Sequence, residues 1–357
     1  MHAASPKRTA VTLKDVARHA AVSISTASNA LTGARTVSAA SIEKVLRSAA
    51  ELGYRPNEIA RSLRTGSDST GSNSSGSTSP GLHRAIGLVI PDVTNPFWAG
   101  MVGVIERLTD ELGFQLTLCN TGFDAQREAA SLARLMGSVD GILLFSTYPD
   151  GTAVKPLLDL GMPMVAVDEA FALEGLGGVY SDNRGGAEAA AAHLLESGGT
   201  TFGLLEGPAQ LTTATERSAG FLVGLESRGV DPSRIHRVVA PYSFEGGREG
   251  VRRLLAEHPQ VDALFACTDN QAIGATFEAH DLGRVVPDDL LVCGFDDISW
   301  ASRIAPSLTT LRQDAAGMAS SAFTMLIDMI TKGGSPRVSV FPVTLMPRES
   351  TRRVTAV

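Results

Sequence analysis

The sequence predicts two folds in one chain: a small all-α helix-turn-helix head, and an α/β core of two lobes built on parallel, doubly wound sheets. Three observations predict it. Three short amphipathic segments, each preceded by a helix-start residue, fill residues 1–56. A stretch dominated by Ser and Gly follows at 66–83. From Arg84 onward, short apolar runs alternate with helical segments, the pattern of parallel strands covered on both faces.

In the head, Thr12 precedes L-K-D-V-A-R-H-A with Asp15 three residues on, a capping box that opens a first helix. Leu13, Val16, Ala17 and Ala20 form its apolar face. A tight break at Ala21-Val22-Ser23 follows, and Ser23 caps a second helix from Ile24 to Leu31, which Thr32-Gly33 ends. Ser38 caps a third helix through Ile42, Val45, Leu46 and Leu52, stopped by Gly53. The small residues Ala20, Ala21 and Ala27 let the first two helices cross closely. A single Ser or Thr at a helix start only caps it. Ile24, Ser25, Thr26, Ser28 and Asn29 together form a polar-edged surface at a helix N-terminus, suited to phosphates and base edges.

Charge separates the two parts. The net charge is −7, yet residues 1–66 hold ten Lys/Arg against four Asp/Glu, a net +6, and the remainder carries −13. A basic head on an acidic body points to a polyanion partner for the head alone. Cys119, Cys267 and Cys293 are an odd, widely spaced set in or beside apolar runs, which reads as buried free thiols. The N-terminus lacks the apolar core of a signal peptide and no run is long enough to span a membrane, so the expected location is the cytoplasm.

The core runs are A-I-G-L-V-I-P, F-Q-L-T-L-C, G-I-L-L-F, M-V-A-V-D, F-G-L-L, A-L-F-A-C-T and L-L-V-C-G-F-D. Doubly wound sheets bind ligands beyond the carboxyl ends of their strands. Polar and aromatic residues gather there: Phe97 and Trp98 after the first strand, Asp182 at the end of another, Thr213 and Arg217 after F-G-L-L-E-G-P, Phe244 in a loop, and Asp269 and Asp296 after later runs. Flat aromatic faces with Asp and Arg in a cleft suit a polyhydroxylated ligand, so a carbohydrate or sugar derivative is expected. Each aromatic taken alone is equally at home in a core. No cofactor is expected. The seven His show no metal-ligand spacing, and no G-x-S-x-G, H-E-x-x-H, Walker loop or Cys-x-x-Cys supports an enzyme. A transport binding protein would share the core but has no use for the basic head.

The stretches T-L-K-D-V-A-R-H-A-A-V-S-I-S-T-A-S-N-A-L-T-G, V-S-A-A-S-I-E-K-V and E-L-G-Y-R-P-N-E-I-A-R-S-L-R-T-G resemble the N-terminal signature of the lactose-repressor (LacI/GalR) family. The resemblance implies a sequence-specific transcriptional regulator, a repressor, that binds a pseudo-palindromic operator in double-stranded DNA as a homodimer under control of a small-molecule effector. It implies that Ile24, Ser25 and Asn29 read bases, that Ser23 and Thr26 contact phosphate, and that Thr12 and Ser28 belong to the same DNA-binding set. Asn29 departs from the commoner Arg, and Ala27 and Ala30 stand where Val is usual. Because Asn pairs bidentately with adenine and Arg with guanine, the operator base facing Asn29 is expected to differ from the family's usual one.

Residues 57–65 match the family's hinge helix, in which Leu63 wedges into the minor groove, Ala60 allows close helix approach, and Asn57 and Arg61 join the DNA-binding set. The next stretch departs from the family: residues 66–81 hold seven Ser, four Gly and two Thr. As a random coil it would span roughly 20–24 Å. Such slack predicts a softened switch, with coupling below the ~1–3 kcal/mol typical of allostery. Deleting residues 69–79 should then sharpen induction. The core, 84–357, resembles the periplasmic-binding-protein-like (type I) sensor through P-D-V-T-N-P-F-W, S-D-N-R-G-G, T-D-N-Q-A-I-G-A, C-G-F-D-D and P-R-E-S-T, among other segments. This implies one lobe from 84–182 and 312–341 and a second from 183–311 and 342–357. Leu211 stands near where purine-sensing relatives carry Arg, which argues against a nucleobase. No heptad run follows the core, so a dimer is expected and not a tetramer.

Overall fold

A computed structural model describes residues 12–32, 37–52 and 82–353. The chain divides into two compact units, residues 1–81 and 82–357.

In the first unit, α1 (Leu13–His19), α2 (Ile24–Thr32) and α3 (Ala39–Leu52) pack around Val16, Ala17, Ala20, Ala27, Val45 and Ala49. At the start of α1 the Thr12 backbone N–H donates to the Asp15 carboxylate at 3.0 Å and its hydroxyl donates at 2.5 Å. Those bonds hold the Asp15 carboxyl below its ordinary range. The turn before α2 needs a left-handed residue, taken by Ala21 at φ 52°. Ser23 then accepts the Thr26 N–H at 3.0 Å, and Ser38 accepts the Ser41 N–H at 3.3 Å, so both expected caps form. Across the fold, His19 Nδ1 meets the Ser48 hydroxyl at 3.1 Å, tying α1 to α3.

The second unit holds two six-stranded sheets. One comprises β1 (Ala85–Ile90), β2 (Gln115–Asn120), β3 (Gly141–Leu144), β4 (Met164–Val167), β5 (Gly177–Ser181) and β11 (Val338–Phe341), in the order β11-β5-β4-β3-β1-β2. The other comprises β6 (Phe202–Glu206), β7 (Ile235–Val239), β8 (Ala263–Ala266), β9 (Leu291–Asp296), β10 (Thr309–Gln313) and β12 (Val343–Met346), in the order β12-β10-β9-β8-β6-β7. Interior strands β1, β3, β4, β8 and β9 are buried at every position, which is why they read as continuous apolar runs. The edge strand β2 exposes Gln115, Thr117, Leu118 and Asn120.

Helices cover both sheets. α4 (Pro96–Glu111), α5 (Ala125–Leu135) and the short α6 (Lys155–Asp159) belong to the first half of the core. α7 (Asn183–Glu196), α8 (Thr212–Glu226), α9 (Phe244–Glu257) and α10 (Asp269–Asp281) belong to the second. α11 (Ala315–Lys332) returns to pack on α4 and on β3, β4 and β5. The chain therefore passes between the sheets three times: after β5, after β10, and between β11 and β12. Two of these passages end in Asp-x-x-Gly: Asp182 and Asp314 accept the N–H of Gly185 and Gly317, each at 2.9 Å, and cap α7 and α11. A Cβ on either glycine would fall 2.3 Å or 2.2 Å from the capping carboxylate, so a larger residue would push that carboxylate off its present position.

Two details differ from expectation. β10 continues to Gln313 within the second sheet, so the passage falls past residue 311, because Gln313 still pairs with Val343 and donates to Asp296 at 2.8 Å. β12 runs antiparallel to β10, whereas every other pair is parallel. Strands of both sheets end at the same cleft, so a strand that enters the second sheet from that cleft runs against its neighbours.

Candidate functional site

A cavity of about 380 Å³ lies between the two sheets, within the size of small-ligand pockets. Its lining comes from residues that follow strand ends: Phe97 and Trp98 after β1, Phe123 after β2, Thr147 and Tyr148 after β3, and Asp168 and Glu169 after β4. The second sheet supplies Thr213 and Arg217 after β6, Tyr242 after β7, Thr268 after β8 and Asp296 at the end of β9. Loop ends of parallel strands are where backbone geometry is free to aim side chains, which is why such sheets place ligands there.

Arg217 organises the cleft and is only 2% exposed. Its guanidinium lies 3.9 Å from the Phe295 ring centroid, donates through Nε to Asn183 at 2.8 Å, and donates through Nη1 to the Cys267 carbonyl at 2.8 Å. Asp296 stands 3.4 Å from Nη1 and Asp168 4.0 Å from Nη2, one carboxylate from each sheet. The Trp98 indole N–H donates to Asp168 at 3.4 Å. Glu169 accepts the Thr213 hydroxyl at 2.5 Å and its backbone N–H at 3.2 Å, a second link between the halves.

Burial pushes the Glu169 carboxyl up to about 7, and neighbouring Asp168 adds to the shift. Asp296 is also pushed up to about 7 by burial, which the Arg217 charge only partly offsets. Burial raises Asp168 as well, against the pull of Arg217. Three cavity residues hold left-handed backbones: Asp168 at φ 76°, Phe123 at φ 57° and Asp296 at φ 124°. Strain of this kind persists where surrounding structure over-determines it. Among the described residues, Asp168 Oδ1, Thr147 Oγ1 and the Tyr242 hydroxyl are buried without a hydrogen-bond partner.

Of the residues singled out from sequence, Phe97, Trp98, Thr213, Arg217 and Asp296 line this cavity, and three do not. Asp182 is spent on the α7 cap. Phe244 opens α9 and packs edge-on against Phe277 with centroids 5.6 Å apart. Asp269 is fully buried, accepting the Thr310 hydroxyl at 2.5 Å and the Ile298 N–H at 2.9 Å, so it braces the β9–β10 connection. Sequence reasoning missed Asp168 and Glu169, although the Asp closing M-V-A-V-D was a legible strand-end signal. Tyr242 and Thr147 carried no such signal, since loop length sets where each points.

In the head, Ser23, Ile24 and Ser25 are exposed, Thr26 and Asn29 are half-buried, and Ala27 is buried in the three-helix core. Ile24 is 45% exposed, an apolar residue presented at the start of α2. The Ser23 hydroxyl also meets those of Ser25 and Thr26 at 2.8 and 2.7 Å, which links this cluster. Thr12 is exposed at the start of α1. The Ser28 side chain, the hinge residues Asn57, Ala60, Arg61 and Leu63, and the stretch 66–81 lie outside the described residues. Among the described residues, no helix is long and apolar enough to cross a membrane.

Comparison with known proteins agrees with both units. Residues 12–57 match bacterial regulatory proteins of the lacI family, and residues 191–351 match a periplasmic binding protein-like domain. The ribose operon repressor of Halalkalibacterium halodurans is 34% identical over 344 residues, covering 96% of this chain and 97% of that protein. The lac repressor dimer bound to operator superposes with a TM-score of 0.73 at 25% identity, over 96% of this chain and 99% of that one. A LacI family regulator from Enterococcus faecium with bound ribose superposes with a TM-score of 0.69 at 25% identity, over 76% of this chain and all of that one.

A helix-turn-helix head joined to a two-lobed cleft defines a ligand-responsive, DNA-binding transcriptional regulator. The chain belongs to the LacI family.

Proposed function

We propose that this regulator is a cytoplasmic, sugar-responsive repressor that binds a two-fold operator as a homodimer and has no catalytic activity of its own. The observation that carries the sugar reading is the cleft in which Arg217 is flanked by Asp168 and Asp296 from opposite sheets. Carboxylates and a guanidinium can each engage neighbouring hydroxyls, and Trp98 and Phe123, 5.9 Å apart, offer ring faces to a pyranose or furanose. The ribose operon repressor relative and the ribose-bound neighbour support a monosaccharide-sized effector. Effector contacts are assigned to Phe97, Trp98, Thr213, Arg217 and Asp296, joined by Asp168 and Glu169. In the head, Ile24, Ser25 and Asn29 read bases, with Ser23 and Thr26 on phosphates.

Gel-shift titration of the full chain with its upstream promoter DNA, repeated across a sugar panel, tests this reading. The expected result is a specific complex whose affinity changes with one class of sugar. Equal affinity for random duplex in every condition would overturn it.

A further inference from the structure

The charge of the cleft is not balanced. Among the described residues, its charged lining is Arg217 against Asp168, Glu169 and Asp296, so one guanidinium faces three carboxyl groups. All four are at least nine-tenths buried. Arg217 can neutralise only one of them, and its Nε and Nη1 are already bonded to Asn183 and the Cys267 carbonyl. A neutral polyol filling this space would exclude water and bring no counter-ion, so the excess carboxyl groups would have to stay protonated. Burial already favours the protonated forms: it pushes Glu169 and Asp296 each up to about 7, with Asp168 adding to both and Arg217 only partly offsetting the shift.

Two further features point to a ligand group on this side of the cleft. Among the described residues, Asp168 Oδ1 accepts no hydrogen bond and lies 4.0 Å from Arg217, and the buried Thr147 hydroxyl is likewise without a partner. Around them the walls are Trp98, Phe123, Tyr148 and Tyr242, whose ring faces attract a cation.

We propose that the effector of this cleft is a small hydroxylated molecule that carries a protonated amine, with the ammonium seated beside Asp168 and Glu169 and the hydroxyls toward Arg217 and Asp296. This rests on the effector-cleft reading above and narrows its ligand class. A primary ammonium has three donors, which suits an open carboxylate oxygen, a buried hydroxyl and an aromatic wall at once.

The test uses the full-length protein and two matched pairs near pH 7: D-glucosamine with D-glucose, and 1-amino-1-deoxy-D-ribitol with ribitol. Calorimetric titration gives each Kd. At least one aminated member should bind about tenfold or more tightly than its neutral partner, the scale of one charge-assisted bond. Glu169→Gln and Asp168→Asn each remove one negative charge at nearly constant shape, and the ratio should fall toward one in either. Thermal melting of both variants checks that they fold, and one folded variant suffices. Tighter binding of neutral members overturns the amine proposal and leaves sugar sensing intact. A preference that survives in a folded variant also overturns it. Silence of all four compounds, with DNA binding retained, overturns the amine proposal, while the sugar reading stands or falls on the gel-shift panel above.

Discussion

Replacing Arg217 with Met isolates the electrostatics of the core from its packing. Met keeps apolar contact with the Phe295 ring that the guanidinium now covers at 3.9 Å, so little empty space is created. What is lost is the donor pair to Asn183 and the Cys267 carbonyl, both at 2.8 Å, and the guanidinium that faces Asp168 and Asp296. Breaking a buried ion pair from one side costs about 3–5 kcal/mol, because the stranded charge remains. Here the stranded groups can take up protons. Asp296 and Glu169 already sit near about 7 when folded and near the ordinary carboxylate range when unfolded. The folded state therefore binds more protons between those values, so stability falls as pH rises through that window and levels off above it. Without Arg217 the folded values move higher still and the fall steepens. The expected destabilisation is about 3–5 kcal/mol near pH 8, shrinking by about 1.4 kcal/mol for each proton held one pH unit below its folded pKa. Urea unfolding followed by tryptophan fluorescence measures this cleanly, because both Trp residues of the chain, Trp98 and Trp300, lie in the core unit. A loss below about 1 kcal/mol, or a loss that is the same at pH 5.5 and 8, would refute the reasoning.

Other substitutions separate structure from recognition. Asp182→Ala removes the α7 cap and should lower core stability by about 1 kcal/mol while effector affinity holds, measured by urea unfolding and calorimetry. Ser23→Ala deletes the acceptor for the Thr26 N–H and should weaken operator binding through a frayed α2, seen as lost helical signal as well as lost gel shift. Asn29→Arg should move preference from adenine toward guanine at one operator base pair by about 1–3 kcal/mol, read from a panel of single-base operator variants. An unchanged preference would remove Asn29 from base reading. Asp269→Asn should disturb melting more than ligand affinity, because its carboxylate serves Thr310 and Ile298 and not the cavity.

The head and the alternation of the core were legible because both rest on local chemistry. Ser23 and Ser38 announce helix starts wherever they stand before an apolar period, and the Thr12–Asp15 box is complete within four residues. Strands such as β1 and β9 read as apolar runs because a parallel strand is covered on both faces. Arg217 was also recoverable, since a charge inside an apolar helix after a strand must find partners.

Which acidic residues those partners are was decided only in three dimensions. Asp168, Asp182, Asp269 and Asp296 all follow apolar runs and look alike in sequence. Packing turned Asp182 into a helix cap and Asp269 into a loop brace, and brought Asp168 and Asp296 from separate sheets to opposite sides of one guanidinium. The physical reason is range: capping and periodicity act over a few residues, whereas the Arg217–Asp296 pairing joins positions 79 residues apart and exists only after both sheets are built.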